Sequence, residues 1–236
     1  MIKFDTYSLK ARIFPAFLSI ILPIMVFNHF YTSEEFAKFV NGVLWAKIAS
    51  NLTISTICLF FLSEVGRIIS KNFFEKDYFK DEREMPTTNY LMFSNDTYTT
   101  DYKIKIRKKI LSDFKINLLS AEEESMDEAE ARCKIVETMA LIRKKLMKNA
   151  FLLQHNIEYG FMRNFIGGSV VGFLLSLSNI AFFNWLQIDL AVYISIFLLL
   201  VYSVFLIFRK SIITFYGNAY ARILIREYVG VWKEKD

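Results

Sequence analysis

A side chain that holds a phosphate must carry positive charge, and one that holds a nucleobase must offer a flat face or a paired donor and acceptor. Two stretches of this chain mix those types. Tyr102 is followed by Lys105, Arg107 and Lys109, and further on stand Arg143, His155, Asn156, Tyr159 and Arg163. Asn156, Tyr159 and Arg163 follow at intervals of three and four, which puts them on one face of a helix. Such a face suits an anionic ligand with aromatic bases. A plainer reading stands beside it: Arg163 marks a membrane interface and Tyr159 belongs to an aromatic belt, and the residues alone favour that reading.

Two further groups sit in apolar surroundings. Asn51 and Ser55 lie one turn apart among Ser50, Thr53 and Thr56, so that face meets either another helix or water; it is packing contact or the lining of a pore. Gly168, Gly172 and Ser176 recur every four residues, a small-residue face that permits close helix packing, against a later span or a neighbouring subunit. Catalytic patterns are absent: there is no G-x-S-x-G, H-E-x-x-H, Walker A or G-x-G-x-x-G, and His155 has no partner at metal-ligand spacing. Neither an enzyme, a metal site nor a cofactor is expected. The acidic cluster Glu122, Glu123, Glu124, Asp127 and Glu130 reads as a solvated helix start, with Ser120 and Glu123 forming a capping box.

The elements that carry these groups follow from hydropathy. The 236 residues are 54% hydrophobic with a mean hydropathy of +0.30, high for a water-soluble domain. Uncharged runs place membrane spans near 13–31, 43–63, 165–184 and 190–208, each about the 20 residues needed to cross about 30 Å of hydrocarbon. Lys3, Lys10 and Arg12 ahead of the first run also fit a signal peptide, but no small-x-small cleavage pattern follows it. Pro23 is expected to kink the first span.

The expected fold class is therefore an all-α integral membrane protein with about four transmembrane helices and a helical region inserted between the second and third. The expected divisions are a hairpin at 1–63, a cytoplasmic region at 64–163, a second hairpin at 164–210 and a C-terminal helix at 211–236. Basic residues flank the spans at Arg67 and Lys71, at Arg143 to Lys148 and at Arg209 and Lys210, whereas the loops after spans one and three carry few. The positive-inside rule then puts both termini and the central region in the cytoplasm. A net charge of +5 is too modest to mark a nucleic-acid binder by itself.

Within the central region, Ile106, Ile110, Leu111, Phe114 and Leu118 form an apolar stripe, so one helix is expected to bury that stripe and present its lysines. Ile135, Met139, Ile142, Leu146, Leu153 and Ile157 continue at helical spacing with no Gly or Pro between 121 and 159, which predicts one rod of about 50 Å.

Several short segments carry a resemblance. Tyr7-Ser8-Leu9-Lys10-Ala11-Arg12-Ile13-Phe14-Pro15, Pro86-Thr87-Thr88, the acidic Glu122–Glu130 stretch and Asn156-Ile157-Glu158-Tyr159-Gly160-Phe161-Met162-Arg163-Asn164 together resemble bacterial membrane proteins paired with nucleotidyltransferases in anti-phage defence, the transmembrane effectors of Hailong systems. The resemblance implies a homo-oligomeric ion channel in the bacterial inner membrane. Its cytoplasmic part would bind an oligodeoxyadenylate signal made by the partner enzyme, and release of the signal would depolarise the membrane and abort infection. It also turns Arg143, His155, Asn156, Tyr159 and Arg163, with Lys105, Arg107 and Lys109, into candidate ligand residues. The reading from a different class is a non-conducting anchor that recruits a cytoplasmic partner.

Overall fold

The computed structural model describes residues 5–31 and 60–230. The described residues are all-helical, without strands, and three helices are long and apolar enough to cross a membrane: α1 (Thr6–Tyr31), α7 (Ala150–Trp185) and α8 (Asp189–Ile207). Between them lie α2 (residues 60–79), α3 (Pro86–Asn89), α4 (Thr100–Phe114), α5 (Ala121–Met126) and α6 (Glu128–Lys145); α9 (Arg209–Gly230) follows α8. The chain divides into an apolar unit, up to Asn72 together with Gly160–Lys210, and a charged unit, Phe73–Tyr159 together with the residues from Ser211. The expected span at 43–63 falls almost wholly outside the described residues, and so do Asn51 and Ser55.

In the apolar unit, prolines shape α1. Instead of a single kink at Pro23, the helix widens twice into i→i+5 turns, at Leu9–Ile13 and Phe17–Ile21, each just ahead of a proline. Pro15 has no N–H for the Ala11 carbonyl, and Pro23 has none for Ser19 or, in the wider register, Leu18. A bilayer core offers no water to those carbonyls, so other helices must supply donors. Asn164 Nδ2 donates to the Ala11 carbonyl at 2.6 Å and Tyr202 Oη to the Leu18 carbonyl at 2.9 Å; Asn179 Nδ2 adds a third bond, to the carbonyl of Pro23 itself, at 2.9 Å.

Glycines let the backbones approach this closely. A Cβ on Gly172 would overlap the Ser19 carbonyl oxygen and lie 2.9 Å from the Tyr202 ring, and one on Gly168 would overlap the Ser19 hydroxyl. The small-residue face of α7 thus packs against α1 as well as α8. Ser176 on that face is fully buried. Phe165, Leu198 and Tyr202 centre the apolar packing, with Leu18, Leu22, Phe173 and Phe205 around them.

The charged unit has a core of its own. Ile106 and Ile110 of α4, Ile135, Met139 and Ile142 of α6, and Ala221, Leu224, Ile225 and Tyr228 of α9 come together at i, i+3, i+4 spacing. Burying each large side chain contributes about 1.5–3 kcal/mol. The expected capping box forms, with Ser120 Oγ accepting from Glu123 N–H and Glu123 returning a bond to Ser120 N–H.

Two expectations for this unit fail. The rod over 121–159 is three helices, because Asp127 caps α6 by accepting from Glu130 N–H and Asn149 caps α7 by accepting from Leu152 N–H. The second break shifts the stripe, so Leu152 is buried where Leu153 was expected. Nor does α4 simply present its lysines. Lys103 and Lys109 are each only 2% exposed, while Leu111 faces outward. Lys103 Nζ donates to the carbonyls of Phe93 and Asn95, and Lys109 lies 3.6 Å from Asp113 and over the Tyr228 ring.

Candidate functional site

The charged unit contains an open polar cleft of about 410 Å³. It is built around the connection between α2 and α3, where three successive non-glycine residues, Lys80, Asp81 and Glu82, take left-handed backbone angles with φ of 42°, 54° and 72°. Such angles cost about 1–2 kcal/mol per residue for side chains with a Cβ, so the surrounding structure must hold them. It does so from two helices. Thr88 Oγ1 of α3 donates to the Glu82 carbonyl at 2.8 Å and Asn89 Nδ2 to the Glu84 carbonyl at 2.9 Å. From α6, Arg132 Nη1 reaches the Arg83 carbonyl at 2.8 Å, and Arg143 Nη1 reaches the Glu82 carboxylate at 2.9 Å. Arg132 and Arg143 are three turns apart on α6, so one face of that helix holds the adjacent residues Arg83 and Glu82 at the end of the loop.

The cleft is lined by Tyr78, the largely buried Phe79 and Tyr90, and the carboxamide residues Asn89, Asn95 and Asn218. Arg132 enters from one side with Nε 2.7 Å from Glu128, and Glu84 from the other with Lys80 at 2.5 Å on one of its oxygens. Tyr90 Oη donates to Asn218 Oδ1 at 2.8 Å, which fixes that carboxamide with its NH2 group as the remaining donor. Gly217 sits beneath. A Cβ there would meet Phe79, Pro86 and Tyr159 at 3.6–3.7 Å, ordinary contact distances.

The residues singled out in the sequence are distributed rather than gathered. Arg143 holds the strained loop. Tyr159 is 5% exposed, donates to Glu75 at 2.9 Å and stacks on Tyr220, so its ring is part of the packing and not an open stacking platform. His155 packs edge-on against Phe151 with Nδ1 3.2 Å from Glu158, and Asn156 is half-buried. Arg163 belongs to the apolar unit, where Nε lies 3.4 Å from Asn164 Oδ1.

In the other stretch, Arg107 donates to the carbonyls of Leu119 and Leu91 and to Glu124 at 3.0 Å, with its guanidinium 4.0 Å over the Phe93 ring. Burial pulls its pKa down and Glu124 opposes that shift. The pKa of Lys109 is likewise lowered by burial. Lys105 is exposed. Among the described residues no group of His, Cys, Asp and Glu is arranged to hold a metal ion.

Reading the sequence missed the cleft because its polar residues come from four separated segments and none shares a motif. Pro86-Thr87-Thr88 was the one local signal: Pro86 lines the cleft, and Thr87 and Thr88 are buried beneath its loop. Comparison with known proteins adds no identity, since no family model, curated protein or solved structure matches this chain.

Proposed function

We propose that this chain is one subunit of a homo-oligomeric ion channel in the bacterial inner membrane, controlled by an oligodeoxyadenylate signal that binds its cytoplasmic charged unit. In this reading the channel is an anti-phage effector, and its activity depolarises the membrane and aborts infection. The observation that carries the reading is α7, one uninterrupted helix of 36 residues that belongs to the charged unit as far as Tyr159 and to the apolar unit from Gly160 onward. A ligand that shifts the start of such a helix acts on an element that also crosses the membrane, which is the physical requirement for coupling a sensor to a gate. The polar cleft supports the sensor half of the reading. The resemblance of the short segments quoted above supports the nucleotide half.

The test is ion flux through liposomes that carry the purified protein, with and without short deoxyadenylate oligomers in the lumen and in the bath. The expected outcome is a flux that the oligomer changes severalfold from one side only. Asn51→Leu with Ser55→Leu should lower flux without loss of assembly if that face lines water. A protein that assembles normally and conducts under neither condition would instead be a non-conducting anchor.

A further inference from the structure

We infer that the outward face of α6 is a docking surface for a second copy of this chain, the two α6 helices packing antiparallel across a two-fold axis at Ala140. The inference rests on the homo-oligomeric part of the proposed function and names a surface that joins two charged units. It is independent of any ligand.

Its first support is the pattern of exposure along α6. The helix turns Ala131, Ile135, Thr138, Met139 and Ile142 into the core of the charged unit. The face directly opposite carries Cys133, Glu137, Ala140 and Lys144, spaced by four, three and four residues, which is the repeat of a seam between paired helices. Glu137, Ala140 and Lys144 are exposed and Cys133 is half-buried. Leu141, beside Ala140, is 38% exposed. The small side chains of Cys133 and Ala140 let a second helix come close, and Leu141 gives it an apolar contact.

Charge then selects the occupant. Elsewhere on α6 the exposed charges are answered within the chain: Glu128 by Arg132, Glu130 by Lys134 and Lys145 by Asp113. Glu137 and Lys144 have no ion-pair partner among the described residues. They stand two turns apart, about 10 Å along the axis, with Ala140 between them. A second α6 running the opposite way about Ala140 sets Glu137 of each copy beside Lys144 of the other. Both charges are thus answered twice by one self-complementary patch, as a two-fold contact requires. Parallel pairing would instead set like charges against each other. The helix macrodipole favours a basic last turn, Lys144 included, without any partner. It does not account for Glu137 in the middle of the helix, nor for Met147, 73% exposed just beyond its end. In the antiparallel contact Met147 comes close to the level of Cys133 of the other copy, apolar against apolar.

The experiment uses the full chain with Cys58→Ser, in detergent micelles and in liposomes, and reads disulfide-linked dimer on non-reducing gels after mild oxidation. Ala140→Cys sets two thiols at the axis, where Cα atoms can reach the roughly 4.4–6.8 Å that a disulfide needs, and most of the protein is expected to cross-link. The native Cys133 thiols of the two copies would lie about 20 Å apart, so the parent protein is expected to give little or no dimer. In the Ala140→Cys background, Glu137→Lys or Lys144→Glu should slow cross-linking about 5-fold or more, and the two together should restore it, with unchanged melting temperature. If a reversal variant melts early, oxidation of Ala140→Cys at rising salt takes its place, and the rate is expected to fall as the two charges are screened. Dimers through Cys133 at the rate of Ala140→Cys, or cross-linking indifferent to both charge reversal and salt, would overturn the inference. Absence of the Ala140→Cys dimer in a protein that light scattering shows to be oligomeric would move the contact to another face and leave the oligomeric reading standing. A monomer by light scattering in micelles and by photobleaching in liposomes would overturn both.

Discussion

Asn164 offers the sharpest test of how the apolar unit is held together. Its amide donates to the Ala11 carbonyl at 2.6 Å, both residues are almost fully buried, and the residue that would have supplied the helical donor to that carbonyl is Pro15. Asn164→Leu keeps the volume and removes the donor. An interhelical hydrogen bond in a membrane protein is worth about 0.6 kcal/mol on average, and a buried carbonyl left unsatisfied costs about 1–3 kcal/mol. The expected loss is about 1–2 kcal/mol, a factor of roughly 5–30 in the folded-to-unfolded ratio. The mechanism predicts more than a loss. Pro15→Ala returns a backbone N–H to the Ala11 carbonyl, so Asn164→Leu in that background should cost less than half as much. Reversible unfolding in mixed micelles with rising SDS, followed by circular dichroism, measures all four corners of this cycle. Equal penalties in the two backgrounds would refute the idea that Asn164 acts through the proline-freed carbonyl.

Three other outcomes follow from packing and charge. Gly167→Ala should destabilise by about 1–3 kcal/mol in the same assay, because its Cβ would overlap the Gly66 carbonyl oxygen and lie 2.7 Å from Ser70 Cβ, whereas Gly230→Ala, with nothing within 4 Å, should change stability by less than about 0.5 kcal/mol. Arg107→Ala should cost about 3–5 kcal/mol, since it leaves the Glu124 carboxylate, only 4% exposed, with backbone N–H donors but no ion-pair partner and removes the donor to the carbonyls of Leu91 and Leu119; exposed Lys105→Ala, measured by the same melt, should be close to neutral. Burial works to raise the Asp113 pKa, but bonds from Lys145 at 2.7 Å and Tyr228 at 2.9 Å, with Lys109 nearby, hold it below the usual 3.8. Its contribution is therefore present above pH 3.8 and lost as pH falls through the lower folded value, so the stability gap between wild type and Asp113→Asn should narrow as pH is lowered below 3.8 in thermal melts.

Hydropathy made the membrane helices legible but not their lengths. The expected 13–31, 165–184 and 190–208 mark only what lipid requires; α1 begins at Thr6 and α7 at Ala150 because helix geometry continues wherever backbone bonds can be made, apolar or not. The capping box at Ser120 was legible because it is a local motif. The breaks at Asp127 and Leu146–Asn149 were less so, since Asp and Asn are tolerated inside helices and act as caps only when the packing of α6 and α7 turns the chain there. Charge misled most on α4. Lys103 and Lys109 look like a solvated face, yet each bends its ammonium onto carbonyls or a carboxylate at the edge of the core, which a count of basic residues does not reveal. The cleft was illegible for a related reason: Asn89, Asn95, Arg132 and Asn218 acquire a joint meaning only after α3, α6 and α9 have packed.

The hydrogen bonds to α1 also bear on membrane topology, independently of charge counts. On α7, Asn164 precedes Asn179, and their partners on α1 fall in the same order, Ala11 before Pro23. Two helices joined at both ends in the same order over about 20 Å run parallel, so their N-terminal ends lie at the same membrane face. Since α1 starts next to the amino terminus and α7 continues from the charged unit, the amino terminus and the charged unit are expected on one side. By the positive-inside rule that side is expected to be the cytoplasm, with Lys10 and Arg12 at the start of one span and Arg163 before the apolar run of the other. Protease protection in inverted vesicles separates the two arguments: a tag before Thr6 and a tag at Asn95 should be cut together from the cytoplasmic face. Cleavage of both from the periplasm would leave the parallel packing intact and defeat only the charge argument, whereas cleavage from opposite faces would mean that Asn164 and Asn179 do not bond α1 as the structure has them.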